Sequence, residues 1–155
     1  MILGFDIITV AVLTAVTFLI RSGIINHLKG GPTVTVIPHI LGLRYSENTG
    51  AAFSMLSSKT ALLSAITLVA LLVMAYMIFI KRYGAKYERA FLIMIFTGGL
   101  CNLIERVFFG YVVDYFEFLF VRFAIFNFAD SLITVGVTLL LIYTIFTEKS
   151  KNEHQ

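Results

Sequence analysis

Two aspartates lie within or beside strongly apolar stretches of this 155-residue chain. Asp130 is inside the last long apolar run, and Asp114 follows the third such run, in the segment VVDYFEF. An ionisable side chain in an apolar membrane segment is costly, and it therefore marks a candidate functional site. Two carboxyl groups in a low dielectric can share one proton, which is the starting point for acid–base catalysis.

If these two carboxyl groups meet, the ionised acid can take a proton from water. The protonated acid can polarise a carbonyl group and later return a proton to a leaving amine. This is aspartic-protease chemistry, which requires no metal. The three histidines (His27, His39 and His154) have no metal-ligand spacing, and the single cysteine, Cys101, has no Cys or His neighbours. We therefore expect neither a metal site nor a cofactor.

Polar residues accompany Asp130 at helical spacing. Asn127, Asp130 and Thr134 follow i, i+3, i+7 spacing, which predicts that they share one face of a helix. Gly136, further along the same run, would allow close helix packing. The alternative is that Asp130 only caps the start of a helix together with Ser131.

The third apolar run also carries polar residues in its second half. Asn102 and Arg106 are four residues apart and are predicted to face one way, and an arginine there can hold a carboxylate or a phospholipid head group. Glu105 could pair with another group, or Glu105 and Arg106 could simply mark the end of the span. Topology puts Asp114 on the same side as Asp130, but it leaves open whether the two touch.

Composition identifies the class of protein. Hydrophobic residues make up 59% of the chain and charged residues 14%, whereas soluble globular chains contain about 45–50% and about 25%. Four apolar runs, each near the roughly 20 residues that a span requires, predict one integral membrane domain, with α-helical spans at about 2–21, 61–80, 90–109 and 123–146. The net charge of +3 comes from basic residues scattered near the span ends, so we expect no nucleic-acid partner.

Charge also predicts the orientation. Basic residues concentrate in the predicted inner loop, 81–89, and in the tail, 147–155, so both termini should be cytoplasmic and the two aspartates should lie near the outer face. The first apolar run lacks a basic n-region and contains Asp6. We interpret it as the start of the first span and not as a cleavable signal peptide.

The predicted outer loop, 22–60, contains strand-like sequence. TVTVI at 33–37 is rich in β-branched residues and ends at Pro38, and LRY at 43–45 could form a second short strand. The residues of the second predicted outer loop, 110–122, follow an alternating pattern. This loop could add strands to the sheet or lie flat at the membrane interface. The predicted fold is an all-α membrane protein, with four transmembrane helices and a small extracytoplasmic β-sheet between helices 1 and 2.

Four ordered segments resemble one known family. They are ENTGAAFS from Glu47, GGLCNLIER from Gly98, VVDY from Val112 and FNFADS from Phe126. They are similar to the N-x-G-A-A-F, G-G-x-x-N-x-x-D-R, V-x-D-[FY] and F-N-x-A-D-S motifs of lipoprotein signal peptidase (signal peptidase II), a bacterial inner-membrane aspartic protease.

The resemblance implies cleavage of diacylglyceryl-modified prolipoproteins just before the lipidated cysteine. It implies that Asp114 and Asp130 are catalytic, and it gives supporting or substrate-contacting roles to a further set, Asn48, Gly50, Asn102, Arg106 and Asn127. The expected partners are lipidated prolipoproteins and membrane lipids. No oligomer is needed, so we expect a monomer. The loop at 48–53 is a candidate cover for the site.

The chain departs from the family pattern in places. The family's D-Q-x-[ST]-K at the end of the first span corresponds to TFLIR at 17–21, and Glu105 and Cys101 replace the usual aspartate and glycine. The chain therefore resembles a divergent member. One alternative is a non-catalytic or altered-specificity homologue that binds signal peptides or lipids. A proton-coupled transporter subunit is disfavoured, because the acids cluster at one face and the span pairs do not repeat.

Overall fold

The computed structural model describes residues 2–50 and 60–152, with side chains described for 3–50 and 60–147. It contains four long helices, α1 (Ile2–Leu28), α2 (Thr60–Ala75), α3 (Lys86–Phe109) and α4 (Phe128–Asn152). A π-helical turn at Tyr76–Ile80 extends α2. Each of the four is long and apolar enough to cross a membrane, which confirms the predicted helical membrane fold. The first helix runs seven residues past the predicted span.

The third helix is the central one. It contacts each of the other three helices and is the most buried of the four. Large apolar side chains on the other helices are exposed, among them Leu19, Leu72 and Phe146, as expected of surfaces that face lipid. Polar side chains are instead buried along α3, including Asn102 and Glu105. The bundle thus shields polar groups of α3 from the apolar surroundings.

Small residues bring α3 and α4 together. A Cβ atom at Gly98 would collide with the carbonyl oxygen of Ala129 and would lie 2.7 Å from Cγ1 of Ile133. A Cβ at Gly136 would lie 2.8 Å from Cγ1 of Ile95, which agrees with the close packing predicted there. Glycine allows two helix backbones to approach closely. The first turn of α4 therefore packs directly against the middle of α3.

A three-stranded antiparallel sheet covers one end of the bundle. Its strands are β1 (Val34–Ile37), β2 (Leu41–Asn48) and β3 (Val112–Phe118), in the order β1-β2-β3. The first two lie in the loop after α1, as predicted, and the third comes from the 110–122 loop. Gly110 ends α3 with φ of 80°, a conformation that glycine adopts at little cost. The chain thereby turns sharply from α3 into β3.

The fourth helix begins at Phe128, five residues after the predicted start of its span at 123. The backbone of Phe126 bridges to β3: its N–H donates to the carbonyl of Phe116 at 3.1 Å, and its own carbonyl accepts from the N–H of Phe116 at 2.7 Å. Because these backbone groups bond to a strand, they are not available to a helix. The segment 123–127 is extended and returns the chain to the sheet.

An ion pair lies at the other end of the bundle. Asp6 of α1 accepts a hydrogen bond from Arg89 of α3, and both side chains are buried. Breaking a buried pair leaves an uncompensated charge, which is strongly destabilising. This pair fastens α1 to α3 at the end away from the sheet.

Candidate active site

The start of α4 positions the first of the two acids. Oδ1 of Asn127 accepts from the backbone N–H of Asp130 at 2.9 Å, and Oδ2 of Asp130 accepts from the backbone N–H of Asn127 at 3.2 Å. This reciprocal cap satisfies donors that a helix start leaves free. The shared helix face predicted for the two residues is therefore wrong, since Asn127 precedes the helix and Asp130 lies in its first turn. Asp130 does cap the helix, but its partner is Asn127 and not Ser131.

The second acid lies on β3. Asp114 is 2% exposed. Its Oδ1 accepts from Nδ2 of Asn127 at 2.8 Å, and its Oδ2 accepts from Nδ2 of Asn48 at 2.8 Å. Asn127 thus contacts both acids, Asp114 through its side-chain amide and Asp130 through its backbone N–H. The structure brings together the two aspartates whose meeting the sequence left open.

A third asparagine closes the network. Nδ2 of Asn102 donates to Oδ1 of Asp130 at 2.8 Å, and Oδ1 of Asn102 accepts from Nδ2 of Asn127 at 3.2 Å. Every oxygen of the two carboxyl groups therefore accepts a hydrogen bond from an amide. Both hydrogens of the Asn127 amide are used, one toward Asp114 and one toward Asn102. Such a fully paired network holds the two acids in one orientation.

Asn48 owes its orientation to the end of β2. Its Oδ1 accepts from the backbone N–H of Gly50 at 2.9 Å, a local turn typical of asparagine, and this leaves Nδ2 directed at Asp114. Pairing of β2 with β3 sets Asn48 opposite Val112. Of the cover predicted at 48–53, residues 51–53 lie outside the described part of the chain. The ENTGAAFS segment is described only from Glu47 to Gly50.

Arg106 lies beside the acids. Its guanidinium interacts electrostatically with Asp130 and with Asp114. Its hydrogen bonds are long, 3.4 Å from Nη2 to the carbonyl of Gly50 and 3.5 Å from Nη1 to the carbonyl of Asn102. Within the described residues, its buried Nε has no hydrogen-bond partner. The arginine therefore supplies positive charge to the site and retains the capacity to donate further hydrogen bonds.

The surroundings of Asp114 favour its protonated form. The pKa of Asp114 is raised from 3.8 to about 7, chiefly by burial and further by repulsion from Asp130 and from Glu105. The hydrogen bonds from Asn48 and Asn127 act in the opposite direction. At neutral pH, Asp114 therefore carries a proton for a large fraction of the time, as expected when two acids share one site.

Sequence reasoning did not assign two further residues of the site. The hydroxyl of Tyr115 accepts from the backbone N–H of Phe128 at 3.0 Å, which ties β3 to the start of α4, and burial raises the pKa of Tyr115 to about 12. Glu105 pairs with Arg21, a partner that lies 84 residues away in sequence. The FY position of the V-x-D-[FY] motif was the only signal for Tyr115, and no local pattern indicated the partner of Glu105.

Comparisons with known proteins agree on one family. The sequence model described as signal peptidase (SPase) II matches residues 7–146. A lipoprotein signal peptidase of Lactiplantibacillus plantarum is 38% identical over 136 residues, covering 88% of this chain and 91% of the relative. One from Streptococcus pneumoniae is 37% identical over 145 residues, covering 94% and 95%.

Solved structures of similar fold are described as bacterial membrane enzymes. One has a TM-score of 0.83 and 29% sequence identity, with 96% of this chain and 92% of that chain covered. Another has a TM-score of 0.80 and 31% identity, with 91% and 92% covered.

Proposed function

The chain belongs to the signal peptidase II family of bacterial multi-pass membrane proteases, and on that basis we propose that Asp114 and Asp130 are its catalytic pair. Relatives carry the name lipoprotein signal peptidase, and the chain is a protease of this type, which removes the signal peptide from prolipoproteins. We further propose that it cleaves diacylglyceryl-modified precursors immediately before the lipidated cysteine.

The observation that carries the proposal is the position of Asn127 between the two acids. Its amide donates to Asp114 at 2.8 Å while its backbone N–H donates to Asp130 at 3.2 Å. Two carboxyl groups that accept hydrogen bonds from the same asparagine can act on one substrate bond. The amide network also favours catalysis over the non-catalytic alternative, because a protein that only binds signal peptides has no need of two acids held in fixed orientation.

Charge assigns different roles to the two acids. The positive charge of Arg106 favours the ionised form of Asp130, whereas Asp114 is repelled by both Asp130 and Glu105. We therefore assign the proton to Asp114 and the ionised state to Asp130. The amides of Asn48 and Asn102 keep the two carboxyl groups in place during proton transfer.

The reaction then follows from this assignment. Asp130 takes a proton from a water molecule as the water oxygen attacks the carbonyl carbon of the scissile peptide bond. Asp114 donates its proton to the carbonyl oxygen, so that a neutral tetrahedral diol forms. When the diol collapses, the C–N bond breaks, the leaving nitrogen takes the proton held by Asp130, and a hydroxyl proton returns to Asp114. Activity requires a proton on Asp114 and is therefore lost as the pH rises through about 7.

The membrane positions the substrate. We propose that both termini are cytoplasmic and that the sheet and the acid pair lie near the outer face, as the basic loop at 81–89 predicts. A lipid-anchored precursor then reaches the site at a fixed depth, and such positioning can supply several kcal/mol of barrier reduction. Arg106 and the backbone of Gly50 lie beside the pair and are the proposed contacts for the substrate peptide. One chain supplies every proposed residue, which supports action as a monomer.

The test replaces each acid by its amide. Asp114→Asn and Asp130→Asn are each expected to lower the cleavage rate by about a thousandfold or more. Glu117→Gln is the matched control, since this acid lies on the same strand and pairs at the surface with Arg44. Purified proteins are incubated with a diacylated precursor peptide, and the products are identified by mass spectrometry, with and without EDTA.

Circular dichroism and gel filtration verify that each variant folds. EDTA should leave the rate unchanged, because the acid pair itself activates the water. Normal cleavage by both aspartate variants would refute the catalytic assignment. Cleavage at a different bond by the unmodified protein would refute the proposed cleavage position.

A further inference from the structure

A third acid, Glu105, interacts with Asp114 of the proposed catalytic pair, and the proposed mechanism does not use it. Glu105 is 3% exposed. Its Oε2 accepts from Nε of Arg21 at 2.9 Å and from the backbone N–H of Val113 at 2.8 Å. Val113 directly precedes Asp114, so one carboxylate oxygen of α3 holds the peptide that leads into the proposed catalytic acid.

We propose that Glu105, held by Arg21, is a positioning residue that sets both the location and the protonation of Asp114. The inference rests on the proposed catalytic role of Asp114. Glu105 acts on Asp114 through the backbone of Val113 and through its charge.

The contacts of Arg21 explain why it can serve as the anchor. Its guanidinium carbon lies 4.2 Å from the ring centroid of Phe109, which is the last residue of α3, and its side chain is 12% exposed. A guanidinium stacked on an aromatic ring keeps a fixed plane and can still donate in that plane. Arg21 therefore presents Nε to Glu105 in one orientation.

The same ion pair connects α1 to the site. Among the described residues, two ion pairs join α1 to α3, and Asp6–Arg89 is at the far end of the bundle. In this chain, the ionic connection between the first helix and the site therefore runs from Arg21 to Glu105.

The charge of Glu105 has a consequence that a purely structural contact lacks. Its repulsion of Asp114 is one cause of the raised pKa of that acid. Within the described part of the chain, the ionisable groups that interact with Glu105 come from α1, α3 and β3, and they are Arg21, Cys101, Arg106, Asp114 and Tyr115. Since the mechanism needs a proton on Asp114, removing the charge at position 105 should move the alkaline limit of activity to lower pH.

Two substitutions separate position from charge. Glu105→Gln keeps the shape but removes the charge. It is expected to lower kcat about tenfold or more, to change KM by less than about twofold, and to move the alkaline limb of kcat/KM down by about 0.5–1 pH unit. Glu105→Asp keeps the charge on a shorter side chain. It should lower kcat without moving the limb. Glu117→Gln, which removes a surface acid, should change neither quantity.

A double-mutant cycle tests the role of Arg21. If Arg21 acts only through Glu105, Arg21→Gln combined with Glu105→Gln should be no slower than the slower single variant. Additive losses in kcat would refute that part of the inference. Should Glu105→Gln fail to fold, Glu105→Asp and Arg21→Lys carry the test through their kcat and KM.

The outcomes distinguish this inference from the proposal on which it rests. Wild-type kcat and an unshifted limb in Glu105→Gln, with Asp114→Asn inactive, would overturn the role of Glu105 and leave the catalytic pair intact. Active Asp114→Asn would overturn the catalytic pair itself. Losses of stability and activity in parallel, with the limb unmoved in Glu105→Gln, would reduce Glu105 to a structural contact and also overturn the inference.

Discussion

Raising the pH from 6 to 9 should switch the enzyme off, because the mechanism needs the proton on Asp114. The pKa of this acid is raised from 3.8 to about 7. The protonated fraction is then about one half at pH 7, about one tenth at pH 8 and about one hundredth at pH 9. The value of kcat/KM should fall in the same proportions. With a pKa near 3.8, the proton would already be lost at pH 6, and the rate would not change between pH 6 and pH 9.

The direction of the pKa shift of Asp114 follows from the burial of its carboxyl group. Desolvation is the largest cause of the shift, and it disfavours the charged form of Asp114 in the folded protein. The stability linked to this proton is complete below the ordinary pKa of 3.8 and is lost as the pH rises through about 7. The thermal midpoint should therefore decline between about pH 4 and about pH 7 and level off above pH 7, whereas the activity falls above pH 7.

The assay measures initial rates of cleavage of a diacylated precursor peptide at substrate concentrations well below KM, from pH 5.5 to pH 9.5. The peptide carries no ionisable side chain near the scissile bond, so that any titration belongs to the enzyme. Samples returned from pH 9 to pH 7 control for irreversible unfolding. A rate that stays constant or increases between pH 6 and pH 9 would refute the assignment of the proton to Asp114.

Two further predictions concern the packing that supports the site. Gly98→Ala should lower kcat about tenfold or more and destabilise the fold by about 1–3 kcal/mol, because the new Cβ would meet the Ala129 carbonyl. Gly23→Ala, which has open space around it, is the control, and equal effects of the two in melting and cleavage assays would contradict the prediction. Asp6→Asn should destabilise the protein by about 3–5 kcal/mol by leaving Arg89 buried and unpaired, without changing the kcat of the folded protein. An unaltered thermal midpoint in detergent would contradict this.

The helices were the most predictable part of the fold. Long apolar runs and the β-branched segment at 33–37 are local properties, and they predicted four helices and a small sheet. The start of α4 was not predictable from local pattern, because FAIFN at 123–127 reads as apolar helix until β3 pairs with Phe126. The third strand depended equally on a partner distant in sequence.

The candidate site was likewise predictable only in the part that local sequence determines. Residue types and motifs selected Asp114 and Asp130 from the sequence, but hydropathy and spacing describe one segment at a time. Their meeting through Asn127 depends on β3 pairing with β2 and on α4 packing against Gly98. The pairing of Arg21 with Glu105 joins residues far apart in the chain.

The sequence by itself determined that this is a four-helix membrane protein with two acids in apolar surroundings, since the free energy of placing each segment in lipid or water depends on that segment's own side chains. Only the tertiary structure decided that the two acids share a neighbour, that Asp114 is buried deeply enough to hold a proton, and that a third acid supports it. Those properties come from hydrogen bonds and desolvation between segments, and they exist only once the segments have packed.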